Sequence, residues 1–359
     1  MIDKVTLLRA KSKAYLWRVF VADDCALLFD LGGTHLRCAC LTKKGGIGNI
    51  TKERIRSFRD GLSTSEIWNE ILGKITAYTT ASGGLVEKSA PVVISFPGPL
   101  HEDGRIVNAP TLSGIDNNIP DINIELSRRT DRIIHILNDV SAATLYLARE
   151  SAWGRFIVVT VSSGIGSKVC FRSSEGITLF DKGPYAGEIG HLTVDESEQA
   201  QVCDCGGLGH LGGISSGRGV ERLARLQAAV DSHAFSRSLC HSKFGATAET
   251  LNNEEHLVPA LRAGDAWSLR VLEKGINPLA LVLNTVVLAL GLQGVIVIGG
   301  FAFAIGETYL ELLRRTIMTR CDYSALSFSS DMVRFGNMCE EACLRGAAEY
   351  AVMLGRGRL

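Results

Sequence analysis

A chain of 359 residues exceeds the usual span of one hydrophobic core, so two domains with a ligand-binding cleft between them are the natural expectation. Apolar residues at 46% and charged residues at 21% exclude a disordered chain. Thirty-eight basic against 38 acidic residues leave a formal net charge of zero, which removes the electrostatic case for nucleic acid or an anionic membrane and favours a small-molecule partner.

The N-terminus is mixed and charged up to Asp24, without the apolar core of a signal peptide. Ten scattered cysteines, of which only Cys203 and Cys205 join a metal-like cluster, fit a reducing compartment, so a cytoplasmic protein is expected. Leu27–Phe29 and Leu36–Leu41 read as two strands of a hairpin around DLGGTH, whose glycines permit a tight turn. Ser63 with Glu66 three residues on forms a capping pattern. It opens a helix with Ile67, Trp68, Ile71, Leu72 and Ile75 on one face. PVVISF, starting at Pro91, lacks alternation and predicts a strand covered on both faces, which makes the class α/β. Further strands are expected at Ile133–Leu137, Phe156–Val161 and Val295–Ile298, with the second half repeating the style of the first. Pro278–Leu290 is the most apolar stretch, too short to span a bilayer; it reads as a buried helix starting at Asn277 and stopping at Gly291. The tail from Glu340 to Leu354 reads as helical.

Three glycine-bearing turns follow strands: Asp30–Thr34 (DLGGT), Ser162–Gly166 (SSGIG), and the pair Gly299 and Gly300. Each alone is compatible with a tight hairpin or strand exit; together, their amides could cradle the phosphates of one nucleotide. Between the first two lies ILND, an apolar strand ending in Asn138 and Asp139. Asp139 could cap the helix that follows, or accept the proton of a substrate hydroxyl while metal and amides handle phosphoryl charge. GEIGH at Gly187–His191 and then CDCGGLGH supply His191, Cys203, Cys205 and His210 within twenty positions. Two thiolates and two imidazoles are a tetrahedral zinc set with no open position, against the alternative of buried thiols and surface histidines.

In these motifs, and in their order along nearly the whole chain, the sequence resembles the ROK family of bacterial-type glucokinases, other sugar kinases and sugar-responsive repressors. The resemblance implies the two-domain actin-like ATPase (ribonuclease H-like) fold. A small N-terminal domain (1–137), completed by the C-terminal helix (340–359), would precede a larger domain (138–339) that carries the zinc segment, with frequent dimers. It further implies that Asp30 helps hold Mg2+, and that Gly32, Gly33, Thr34, Ser163 and Gly164 contact the phosphates of ATP. Gly299 and Gly300 would serve the adenosine side, and Asp139 the catalytic base. Asn138, Glu188 and His191 would bind acceptor hydroxyls, His191 using its second ring nitrogen for zinc.

The chain departs from the family pattern at four positions. His210 stands where a third zinc cysteine is usual, Thr111 where asparagine is usual, and Ser163 replaces a common threonine. Gly212 stands where these glucokinases carry a glutamate that grips the sugar near its anomeric end. The expectation is therefore an ATP-dependent kinase for a sugar-like polyol that differs from glucose at that end, a modified hexose or C7-cyclitol, with glucose or an N-acyl-hexosamine as the alternative. A sugar-responsive regulator is disfavoured, because the roughly twenty-five residues before the first strand are too few for a helix-turn-helix module.

Overall fold

The structure, a computed structural model, describes residues 25–42, 46–114, 116, 118–183, 185–320 and 329–355. The reading of the N-terminal leader lies outside these residues. The chain divides into two compact units, one comprising Met1–Ser151, Lys182–Pro184 and Met338–Leu359, the other Ala152–Asp181 and Tyr185–Asn337.

The first unit is built on strands β1 (Ala26–Leu31), β2 (His35–Leu41), β3 (Ile47–Arg54), β4 (Val92–Phe96) and β5 (Ile134–Asn138). They form one sheet in the order β3-β2-β1-β4-β5. β1 pairs antiparallel with β2, and parallel with β4. β1 and β4 are buried at every residue, as the unbroken apolar run of PVVISF predicts for strands covered on both faces. The helix α1 (Thr64–Ala81) starts at the expected capping box, Ser63 and Glu66 each accepting from the other's backbone amide, and its five predicted apolar residues are buried. Two more helices follow, α2 (Ile122–Thr130) and α3 (Asp139–Glu150).

The second unit repeats the plan. β6 (Arg155–Val161), β7 (Ile165–Ser173), β8 (Gly176–Phe180), β9 (Gly294–Ile298) and β10 (Val333–Phe335) lie in the order β10-β9-β6-β7-β8. In both units a three-stranded antiparallel meander is extended by two parallel strands beside its first strand. Helices α4 (Gly217–Val230), α5 (Ala266–Leu290) and α6 (Glu307–Arg320) belong to this unit. Each unit has its own apolar core.

One sequence expectation is corrected. Asn277 does not start the apolar helix: α5 begins after Asp265, whose carboxylate accepts from the Ser268 amide at 2.8 Å, and runs through Pro278. Burial of Trp267, Val271, Leu272, Ile276 and Leu279 on either side of the proline offsets the lost hydrogen bond. At 25 residues α5 is long and apolar enough to cross a membrane, but 56% of its apolar window is buried within the protein, the packing of a core helix. The expected stop at Gly291 is present, with φ of 58°. The compact units divide at Ser151/Ala152, where the sequence expectation placed a boundary at 137/138. The last helix, α7 (Ala342–Gly355), packs on α3 and on β1, which draws α3 into the first unit. Gly346 makes this possible: a Cβ there would lie 1.8 Å from the Ala142 carbonyl oxygen.

Candidate active site

The hairpin between β1 and β2 closes with the Gly32 amide donating to the His35 carbonyl at 2.9 Å, which leaves Gly32, Gly33 and Thr34 at its tip. Thr111, at the position of the usual asparagine, comes beside this tip, its Cβ 3.4 Å from where a Cβ on Gly33 would stand. Asp30 sits at the end of β1, 7% exposed. Its Oδ1 accepts from Ser95 Oγ at 3.2 Å and its Oδ2 from Arg37 Nη1 at 3.3 Å. Burial raises the Asp30 carboxyl above its usual range, against the opposing pull of Arg37 and Ser95. Hairpin register explains the pairing, since Asp30 lies opposite Arg37 and Arg37 opposite Lys52. Glu340 then spans the two cations, meeting Arg37 Nη2 at 3.3 Å and Lys52 Nζ at 2.5 Å.

Asn138, not Asp139, caps helix α3: its Oδ1 accepts from the amides of Val140 and Ser141 at 3.0 and 3.3 Å. Its Nδ2 donates to the Gly98 carbonyl at 3.0 Å, so much of its hydrogen-bonding capacity is used within the protein. Asp139 is the first residue of the helix, partly exposed, and its Oδ1 accepts from the Val140 amide at 2.8 Å. The thiol of Cys343, on α7, lies within the field of the Asp30 carboxylate and donates to the Asp139 backbone carbonyl at 3.8 Å. Burial first, then the charges of Asp30 and Asp139, push this thiol far above its usual range, so it is a neutral group between two acids. Sequence reasoning missed Arg37, Ser95, Glu340 and Cys343. Arg37 was legible from the hairpin register; nothing local announces that Glu340 returns to Arg37, and Cys343 to the neighbourhood of Asp30, from about three hundred positions away.

In the second unit the hairpin between β6 and β7 turns with the Ser162 amide donating to the Gly164 carbonyl at 3.0 Å, leaving Ser163 and Gly164 exposed. Gly299, with φ of 108°, lies so close to this hairpin that a Cβ would stand 2.5 Å from the Val161 carbonyl oxygen. Gly300, one residue on, lies near Ser162 Oγ. Glu188 is partly exposed, with an oxygen 3.7 Å from His191 Nε2.

His191, Cys203, Cys205 and His210 converge, their ligand atoms all within 4.8 Å of one another. Cys205 Sγ and His210 Nδ1 are 3.2 Å apart. Zinc bonds of about 2.0 to 2.3 Å separate tetrahedral ligands by about 3.6 Å, so two thiols and two imidazoles at this spacing fit the ion with little movement. The knuckle is closed by Cys203 donating to Gly207 and Gly206 to Cys203, each at 2.8 Å. Gly207 is required because a Cβ there would meet the His210 ring at 2.1 Å.

Two five-stranded sheets of identical order, each with a glycine turn at its first hairpin, make up the actin-like ATPase fold, which solved structures share. The chain belongs to the ROK family, whose model matches residues 27–352. It is 33% identical to a C(7)-cyclitol 7-kinase of Streptomyces hygroscopicus subsp. jinggangensis, over 90% of this chain and 92% of that one. Among solved structures, a ROK hexokinase from Thermus thermophilus superposes with a TM-score of 0.69 at 22% identity, covering 93% and 99% of the two chains. A ROK glucokinase from Streptomyces griseus, in complex with glucose and AMPPNP, gives 0.64 at 18%, covering 91% and 98%. At these identities the two structural likenesses establish the fold.

Proposed function

We propose that this chain is an ATP-dependent kinase that phosphorylates a hydroxyl of a C7-cyclitol or a closely related modified sugar. One observation carries the chemistry: Asp30, on β1, and Asp139, the first residue of α3, both come beside the thiol of Cys343. A sugar or polyol kinase needs two such acids in different roles. Asp139 takes the proton of the acceptor hydroxyl as its oxygen bonds to the γ-phosphorus, and ADP leaves. Asp30, a carboxylate at the end of β1, suits Mg2+, which is commonly held by one or two carboxylates plus phosphates. Mg2+ supplies charge neutralisation on the phosphates. Gly32, Gly33, Thr34, Ser163 and Gly164 offer amides and hydroxyls to those phosphates, and Gly299 and Gly300 border the adenosine. Asn138, Glu188 and His191 read the acceptor.

The acceptor class is supported by the 33% identity to a cyclitol kinase and by Gly212. A glycine there leaves the anomeric end of a hexose without a carboxylate partner. The four-residue knuckle is assigned to a structural Zn2+. The chain is further assigned as a cytoplasmic homodimer without nucleic-acid or membrane partners. Purified protein, offered ATP, Mg2+ and a panel of C7-cyclitols, hexoses and amino sugars, should prefer a cyclitol. Asp139→Asn should lower turnover by about 10²- to 10⁴-fold with unchanged thermal unfolding. Preference for glucose would overturn the acceptor, and unchanged turnover the base.

A further inference from the structure

We infer that Asp204, Arg218 and Arg222 form a latch through which the metal knuckle positions the phosphate hairpin at Ser162. The inference rests on the zinc and nucleotide roles proposed above. Asp204 lies between the two knuckle cysteines. Its Oδ2 accepts from Arg218 Nη1 and its Oδ1 from Arg222 Nη1, both at 2.8 Å. The two arginines are four residues apart on α4 and so share one face of the helix. Arg222 also donates to the Gly213 carbonyl at 3.4 Å, on the segment that leads from His210 into α4.

The other end of the connection is the first residue of α4. The Gly217 amide donates to the Ser162 carbonyl at 2.8 Å. A Cβ on Gly217 would lie 3.0 Å from that oxygen and 3.0 Å from the Phe301 ring, so helix and hairpin touch without slack. Asn253 Nδ2 donates to the Gly217 carbonyl at 2.8 Å and holds the helix start from the other side. Between Ser162 and Asp204 there are thus only a hydrogen bond, the first two turns of a helix, and a two-arginine clamp. A surface ion pair contributes little to stability, but two cations on one carboxylate fix the direction of α4 relative to the knuckle. Arg218 and Arg222 are positioning residues, because their guanidinium groups bond to Asp204 and the Gly213 carbonyl.

The test uses the full chain, with zinc content measured by elemental analysis and the affinity for Mg2+–AMPPNP measured by calorimetry, before and after chelation. In the parent, removing zinc should weaken AMPPNP binding on the order of ten-fold. Asp204→Asn and the double variant Arg218→Gln/Arg222→Gln should retain zinc, yet bind AMPPNP as weakly as the stripped parent, with little further loss on chelation. In turnover they should raise the KM for ATP while leaving kcat near the parent's, and Asp204→Glu should restore the parent's affinity. A parent without zinc would defeat the metal assignment itself. Zinc present but without influence on AMPPNP, or zinc-loaded variants that bind AMPPNP like the loaded parent, would overturn the latch.

Discussion

Replacing Gly346 by alanine should damage both stability and turnover, whereas the same change at Gly73 should stabilise. Both glycines lie within helices, α7 and α1, and in both alanine gains about 0.5 to 1 kcal/mol from helix propensity. At Gly73 a Cβ meets nothing within 4 Å. At Gly346 it would stand 1.8 Å from the Ala142 oxygen, 2.4 Å from the carbon and 2.9 Å from the Cα. These are backbone atoms of α3, which no rotamer change can withdraw, so α7 and α3 must separate by more than an ångström. Overpacking of this kind costs about 1 to 3 kcal/mol, and the rigid contact places Gly346→Ala near the upper end, a net loss of about 2 kcal/mol. For a unit of this size that is roughly 4 to 8 °C in Tm, against a rise of about 1 to 4 °C for Gly73→Ala. Because α3 begins with Asp139 and α7 carries Cys343, an ångström of displacement should lower kcat by ten-fold or more. Calorimetry and coupled ADP release measure the two effects. A Gly346→Ala protein as stable and active as the parent would refute the close packing of these helices and the positional argument for Asp139.

Two further outcomes follow from titrating groups. Burial raises the Asp30 carboxyl above its usual 3.8, so the folded protein holds a proton that the unfolded chain releases between the two values. This contribution to stability is present below the unfolded value and lost as pH rises through the folded one. Asp30→Asn should therefore abolish phosphoryl transfer without lowering Tm at pH 7, its advantage fading below about pH 4; a clear fall in neutral Tm would mean that the Arg37 pair outweighs the cost of burial. Thiol accessibility should report the knuckle. Burial pushes Cys38 and Cys170 up to about 12, and Cys240 up to about 11, which keeps them silent toward disulfide reagents at pH 8. Chelation should expose two additional reactive thiols per chain, Cys203 and Cys205; an unchanged count would remove the zinc assignment.

The fold was legible where local chemistry decides it. The capping box at Ser63, the doubly covered strand at Val92–Phe96 and the glycine stop at Gly291 each depend on a few adjacent residues. Pro278 misled because proline commonly opens a helix, and only the buried residues on both sides show why this one is tolerated in the interior. The glycine turns and the four knuckle residues were legible from spacing and composition. The surroundings of Asp30 were not, because Ser95 reaches it through sheet order, and Cys343, with Glu340 on Arg37, through the docking of a distant helix.

The placement of α7 also bears on how the protein is made. The second unit is almost continuous in sequence, but the first keeps β1 and α3 waiting for a helix encoded at the far end of the chain. During synthesis its sheet emerges early, while the surface that receives Gly346 and Leu344 is covered only after the whole second unit has been translated. The ribosome thus releases a complete C-terminal unit before the N-terminal one can close, and the carboxylates flanking Cys343 acquire their final surroundings last.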